Sequence, residues 1–260
     1  MLGELAALVG AACWAVAPII YKRAMSNTSP IAANTMRSVS TTVVMILILL
    51  IIGKGSVMIE LPWVAVVITI ISGIFGLVLG DTFYMLGLRT VGVSVAAPIV
   101  STYPLFSMIW SMGFLGEPVT IMGFIGTFII IVGIWLLSRG KDKDNGNQGN
   151  DKKLKKRKFA LTGVTAALAT SFVWSFSILL MDIAMDMPGV ETIDDNYALL
   201  VARILAMAII MLMLTPIADR KWEFLKMKRR TVIELCAAGI IANGIGWLLM
   251  NYSLMVLEET

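Results

Sequence analysis

Eight apolar runs, each about the length of one bilayer crossing, constrain this chain more than any other feature. A hydrocarbon core of about 30 Å needs about 20 apolar residues per helix, and such runs occupy roughly residues 4–24, 31–53, 62–86, 93–115, 118–138, 160–181, 195–217 and 231–253. Backbone groups in lipid must be satisfied within each segment, so these runs read as helices. With 58% hydrophobic and 15% charged residues, and the charges gathered in the gaps, the chain reads as an all-α polytopic protein of the cell membrane.

The gaps carry the topology. Residues 139–158, RGKDKDNGNQGNDKKLKKRK, are polar, Gly/Asn-rich and basic, which describes a solvated linker. If the helices alternate, eighteen Lys and Arg fall on the linker side and only Lys54 on the other. The positive-inside rule then places the linker in the cytoplasm and both ends of the sequence outside. The basic run Lys152 to Lys158 also suits anionic lipid headgroups, although a topology signal is the plainer reading.

Several chemistries lack their parts. There is no histidine, so zinc-protease, His-triad and imidazole-relay mechanisms are excluded. No nucleotide-binding glycine loop of the Walker type occurs, which argues against an ATP-driven pump. Cys13 and Cys236 both lie in apolar runs and suggest neither a disulfide nor a metal site. Met1-Leu2-Gly3-Glu4 lacks the basic region of a signal peptide, so the first run is expected to stay as a helix. No enzyme, metal, cofactor or nucleic-acid partner is expected.

The two halves of the chain align with each other. An offset of 160 brings Trp14 onto Trp174 and Ala24-Met25 onto Ala184-Met185; an offset of 166 brings Arg37 onto Arg203, Met45 onto Met211, Gly73 onto Gly239 and Gly80 onto Gly246. Five helices per copy is an odd number, so the second copy enters the membrane the other way up. The loops agree: Lys22 and Arg23 follow the first run, whereas Asp182, Asp186, Glu191, Asp194 and Asp195 cluster around the corresponding gap in the second half. Inverted repeats are an architecture of alternating-access transporters, with the substrate site near the midplane between the halves.

The stretch from Gly80 to Thr120, GDTFYMLGLRTVGVSVAAPIVSTYPLFSMIWSMGFLGEPVT, joins two of the runs through a turn read as containing Arg89. With Trp14, Arg37 and the repeat, this pattern resembles an EamA-type member of the drug/metabolite transporter superfamily, over nearly the whole chain. The resemblance implies two five-helix repeats of opposite orientation and transport of small metabolites, amino acids or drugs by alternating access, in some members with proton exchange. The solute, the lipid bilayer and protons are therefore the implied partners; oligomeric state is left open. Family members are often drawn with both termini cytoplasmic, opposite to the charge count here. The expected organisation is a first repeat at 1–138 (helices 1–5), the basic cytoplasmic linker 139–158 and an incomplete second repeat at 159–260 (helices 6–8), lacking helices 9 and 10. A rival reading is a non-transporting membrane interaction protein, or a fragment whose cavity a partner segment completes.

Candidate site residues follow from the cost of polar groups in lipid. Asp81, Arg37 and Arg203 are ionisable residues within the runs, and each is a functional candidate or a side chain snorkelling to the headgroups. Arg37 and Asp81 lie about six and five residues from the cytoplasmic side, roughly 8–9 Å deep, which makes an ion pair geometrically feasible. Trp14, Tyr84, Tyr103, Trp174, Asn243, Trp247 and Asn251 are candidates to line a cavity for apolar or aromatic solutes. Pro98 and Pro104 break the backbone ladder of helix 4 and serve either as a packing kink or as a gating hinge. Glu117 is read as helping to start helix 5, and Trp63 and Trp222 as interface anchors. Gly76 with Gly80, and Gly123 with Gly126, are read as sites of close helix packing.

Overall fold

The computed structural model describes residues 2–116, 121–139, 150–219 and 223–258, and among them there is helix and turn but no strand. Among the described residues eight long helices follow in order, with a short helical turn at Val57–Glu60 between the second and third. We label them α1 (Leu2–Ala24), α2 (Pro30–Ile51), α3 (Trp63–Val91), α4 (Val93–Phe114), α5 (Ile121–Arg139), α6 (Asn150–Met185) and α7 (Ile193–Ala218). The last, α8, runs through Arg229–Gly239, Ile240–Gly246 and Trp247–Glu258. Seven of the eight are long and apolar enough to cross a membrane; the 19-residue α5 completes the order. Pro118, Glu117, Trp222 and residues 140–149 of the expected linker lie outside the described residues. Helical backbone reaches back to Asn150, so α6 begins inside the expected linker, just ahead of the basic run Lys152 to Lys158, rather than after it.

Local signals explain the helix ends. Ser29 caps α2, its Oγ accepting the Ala32 N–H at 3.2 Å, and Pro30 supplies a first-turn residue with no N–H to satisfy. Thr192 and Asp195 form a capping box at the start of α7. The third helix does not end near residue 86. It continues to Val91 and stops at Gly92, whose φ of 83° is open to glycine. Arg89 is thus in the last turn of α3 rather than in the loop, where its charge complements the helix terminus.

Two irregularities shape the interior. Ile74–Gly80 of α3 and Ile240–Gly246 of α8 are wound as π-helix. In α4 the helix breaks at Ser101 and Thr102 before resuming at Tyr103. Pro104 accounts for the break, since its ring would strike the Val100 carbonyl in a continuous helix. Pro98 sits inside the helical segment preceding it. The carbonyls of Ile99 and Val100 both lie within hydrogen-bond reach of the single Ser171 hydroxyl of α6, at 3.0 and 2.9 Å, so the neighbouring helix offers a donor to the carbonyls freed by the break.

Beside a hydrophobic core, the helices bury polar faces and turn apolar ones outward. On α2 the residues Asn34, Arg37, Ser38 and Thr41, at helical spacing, are all buried, whereas Val43, Leu47, Leu50 and Ile51 are exposed. Apolar side chains also cover the outer faces of α1 and α7, among them Leu8, Ile19, Met213 and Ile217. Lipid is the solvent that makes this arrangement favourable.

The halves pack by exchange. Helix α1 lies against α8, α6 lies against α3 and α4, and α2 and α7 pack on each other at the centre. Contacts recur at the offsets read from the sequence. Trp14 Nε1 donates to Ala242 O at 3.0 Å, and Trp174 Nε1 to Gly76 O at 3.1 Å. A Cβ built at Gly73 would lie 3.1 Å from Arg203 Cγ, and one at Gly239 would lie 2.5 Å from Arg37 Cγ. At one end of the bundle Lys22 Nζ donates to Arg89 O at 2.7 Å and Arg23 pairs with Glu234 at 3.3 Å. At the other end Lys54 pairs with Asp194 of the acidic segment at 2.5 Å.

Candidate functional site

A cavity of about 540 Å³ opens among α1, α2, α3, α4, α6, α7 and α8. Its size is in the usual range for small-molecule sites. The exchange of helices places it between the halves, with the two π-segments in its wall through Gly76, Leu77, Ala242 and Asn243.

Its charged centre is built around Asp81. Arg37 Nη2 donates to Asp81 Oδ2 and, at 2.6 Å, to Asn34 Oδ1; both members of the ion pair are buried. Trp174 Nε1 donates to Asp81 Oδ1 at 2.9 Å while also reaching Gly76 O. Asn34 is fixed in turn, its Nδ2 donating to Leu77 O at 2.9 Å and Thr82 Oγ1 at 3.0 Å. The Tyr21 ring lies 5.6 Å from Arg37 Cζ, and Tyr21 OH donates to Ala238 O at 3.0 Å. An ion pair held on several sides has little freedom to snorkel. The pairing expected from matched depth is therefore present, and independent snorkelling of Arg37 and Asp81 is not what the chain does.

The second charged group is different in kind. Arg203 is 2% exposed and its Nη2 donates to Ser177 Oγ at 2.6 Å, while Ser177 Oγ donates to Ser72 O at 2.8 Å. Its Cζ lies 5.2 Å from the Trp247 ring centre. Nε and Nη1 have no hydrogen-bond partner among the described residues, and no carboxylate there lies within ion-pair distance. At the position that corresponds to Asp81 the second half has Trp247, so the counter-charge is missing from the sequence as well as from the site.

Aromatic rings form the rest of the wall. Trp14 packs edge-on against Trp247 with centroids 5.4 Å apart, and Tyr84 against Trp174 at 5.2 Å. Tyr103 and Asn243 also line the cavity, and Asn243 Nδ2 is buried without a partner among the described residues. All nine candidates Trp14, Arg37, Asp81, Tyr84, Tyr103, Trp174, Arg203, Asn243 and Trp247 thus border one space. Pro98 and Pro104 do not line it, although Val100, Ser101 and Tyr103 between them do. The Asn251 side chain and Glu117 lie outside the described residues.

Some participants were missed. Asn34 and Ser38, at polar positions one helical face with Arg37, are visible in the sequence as a period that repeats every three to four residues. Ser177 and Tyr21 carry no such signal. Gly76 and Gly80 do permit close packing, but against side chains rather than a helix backbone. A Cβ at Gly76 would fall 2.2 Å from Ser177 Oγ, and one at Gly80 2.4 Å from Trp174 Cδ1. At Gly126 a Cβ would meet nothing within 4 Å among the described residues.

Helices able to span the bilayer, a lipid-facing exterior and a charged cavity among them define a multi-pass integral membrane protein of the transporter class. The model of the EamA-like transporter family matches residues 1–139, over half of the chain, and the chain belongs to that family. It is 27% identical over 186 residues to an "Uncharacterized transporter" of Archaeoglobus fulgidus, covering 72% of this chain and 60% of the relative. It is 25% identical over 135 residues to the "Uncharacterized transporter YyaM" of Bacillus subtilis, covering 51% of this chain and 43% of the relative. The chain therefore spans about half of the length of these curated relatives. No solved structure matches.

Proposed function

We propose that this protein is a secondary transporter of small organic solutes, working by alternating access between two inverted repeats. The observation that carries the reading is the cavity of about 540 Å³ whose wall is drawn from both halves and which encloses the buried Arg37–Asp81 pair. Supporting it are the paired contacts of Trp14 and Trp174 with the opposite π-segments, which couple each half to the other through a single indole. Wide-turned segments and the break in α4 are where a helix bundle bends most readily. In this reading Asp81 is the coupling group. Protonation would release it from Arg37, and solute in the cavity would then meet a cation freed from its partner.

Saturable uptake into proteoliposomes, screened over amino acids, organic acids and aromatic drugs with and without a pH gradient, tests the proposal. At least one solute is expected to accumulate and to be competed by its analogues. If solutes that bind the purified protein never show saturable flux, the transport reading fails. If Asp81→Asn keeps full gradient-driven uptake, the coupling role of Asp81 fails while transport stands.

A further inference from the structure

Among the charged groups of the described residues that line the cavity, Arg203 is the one without a counter-charge beside it. Removing a guanidinium from water is costly unless a counter-charge and hydrogen bonds replace the lost solvation. Arg37 has both, in Asp81 and Asn34, and only its Nε is buried without a partner among the described residues. Arg203 has one serine hydroxyl and one indole face, and its Nε and Nη1 remain without acceptors among the described residues. With Arg37 and Asp81 balancing each other, the charged groups that face the cavity leave one unmatched positive charge. Asn243 adds an unused amide donor to the same wall.

We propose that the cavity binds an aromatic monocarboxylate, its carboxylate seated on Arg203 and its ring against the indoles. This rests on the reading of the cavity as the solute site and names the class of solute. Four features select that chemistry. Unpaired guanidinium N–H groups and an unpaired amide N–H call for an acceptor, and an anionic acceptor gives the stronger bonds. One excess positive charge is matched by a carboxylate, whereas a phosphate monoester at close to two charges would leave a new surplus. Asp81 is already engaged by Arg37 and Trp174, so the described residues lining the cavity offer no free carboxylate to an ammonium group, which disfavours cations and zwitterions. The rings of Trp14, Trp174 and Trp247 offer flat apolar surface for an aromatic body.

The test is calorimetric titration of the purified 260-residue protein with four probes that share one ring system: 2-naphthoate, 2-naphthamide, 2-naphthylmethylammonium and 2-naphthyl phosphate. Naphthoate is expected to bind tightest, by about tenfold or more over the amide, the range for a hydrogen bond to a charged group. Arg203→Gln should bring naphthoate down to the level of the amide while leaving the amide unchanged. Arg203→Lys should keep part of the preference, and Arg89→Gln at the exposed end of α3 should alter nothing. Should Arg203→Gln not fold, the ranking of the four probes on the unaltered protein and the Arg203→Lys result still decide the matter. Equal binding of acid and amide, or tighter binding of the ammonium or the phosphate, overturns the carboxylate assignment and leaves the solute cavity standing. If none of the four binds, the carboxylate site and the cavity reading fall together.

Discussion

At the residue scale, Arg37 and Asp81 depend on each other because neither can be left charged and alone in a buried site. Taking one partner from such a pair costs about 3–5 kcal/mol. Arg37→Asp and Asp81→Arg are each expected to lower the thermal midpoint of the detergent-purified protein sharply, and the double exchange to recover a good part of the loss. Strictly additive losses would refute the coupling. Trp174 ties this pair to the opposite half, since one indole N–H serves both Asp81 and the π-turned carbonyl of Gly76. Gly76 is equally specific. Alanine there would push on Ser177 and on the Arg203 guanidinium, at 2.2 and 2.9 Å from the new carbon. Overpacking of this kind costs about 1–3 kcal/mol, so Gly76→Ala should destabilise the protein and disturb ligand binding together. Gly126→Ala, with no such neighbour among the described residues, should do neither. Equal effects of the two substitutions on the unfolding curve would show that the packing at Gly76 is not tight.

At the element scale, α4 shows how a sequence breaks a helix in lipid and repairs the damage from outside. Pro104 prevents the turn from closing, and the single hydroxyl of Ser171 on α6 lies within hydrogen-bond reach of the carbonyls of Ile99 and Val100. Thr102 Oγ1 shares the Ile99 oxygen at 2.7 Å, which leaves Val100 the more dependent on Ser171. Ser171→Ala is therefore expected to cost about 1–3 kcal/mol, the penalty for an orphaned buried acceptor, read as a lower thermal midpoint. Adding Pro104→Ala should offset part of this by letting the helix close. If the second change deepens the loss instead, the break is held by packing rather than by proline. The break itself was legible, because two prolines stand within one run. Its exact place was not, since that depends on where α6 offers a hydroxyl. The end of α3 was misplaced for a related reason: apolar character thins out after residue 86, but the hydrogen-bond ladder persists until Gly92 allows the chain to turn.

At the scale of the whole molecule, the charge bias predicts an orientation. In a chain with Cys13 and Cys236 replaced by serine, a cysteine introduced at Asn147 is expected to react with a membrane-impermeant thiol reagent only after cells are opened. Labelling of intact cells would reverse the orientation without touching the fold. The internal ion pairs fit two separate ends, with Lys54 against the acidic segment at one and Lys22, Arg23 and Arg89 gathered at the other.

What the sequence determined by itself is the solvent, the secondary structure and the type of chemistry. Runs of about 20 apolar residues leave a chain no option but helices across a bilayer. Ionisable and aromatic residues placed inside those runs announce a polar interior, and the absence of histidine narrows what it can do. Tertiary structure alone decided which of these residues share a space. Trp14 and Trp247 are more than two hundred residues apart and touch because α1 packs on the other half's α8; Trp174 reaches Asp81 because α6 packs on α3. The same exchange decided that Arg37 has a carboxylate beside it while Arg203, its counterpart in the sequence, faces the cavity with donors unspent. Helix formation is a matter of neighbours three and four residues away and can be read along the chain. The balance of a buried charge depends on groups brought in from other helices, and only their packing sets it.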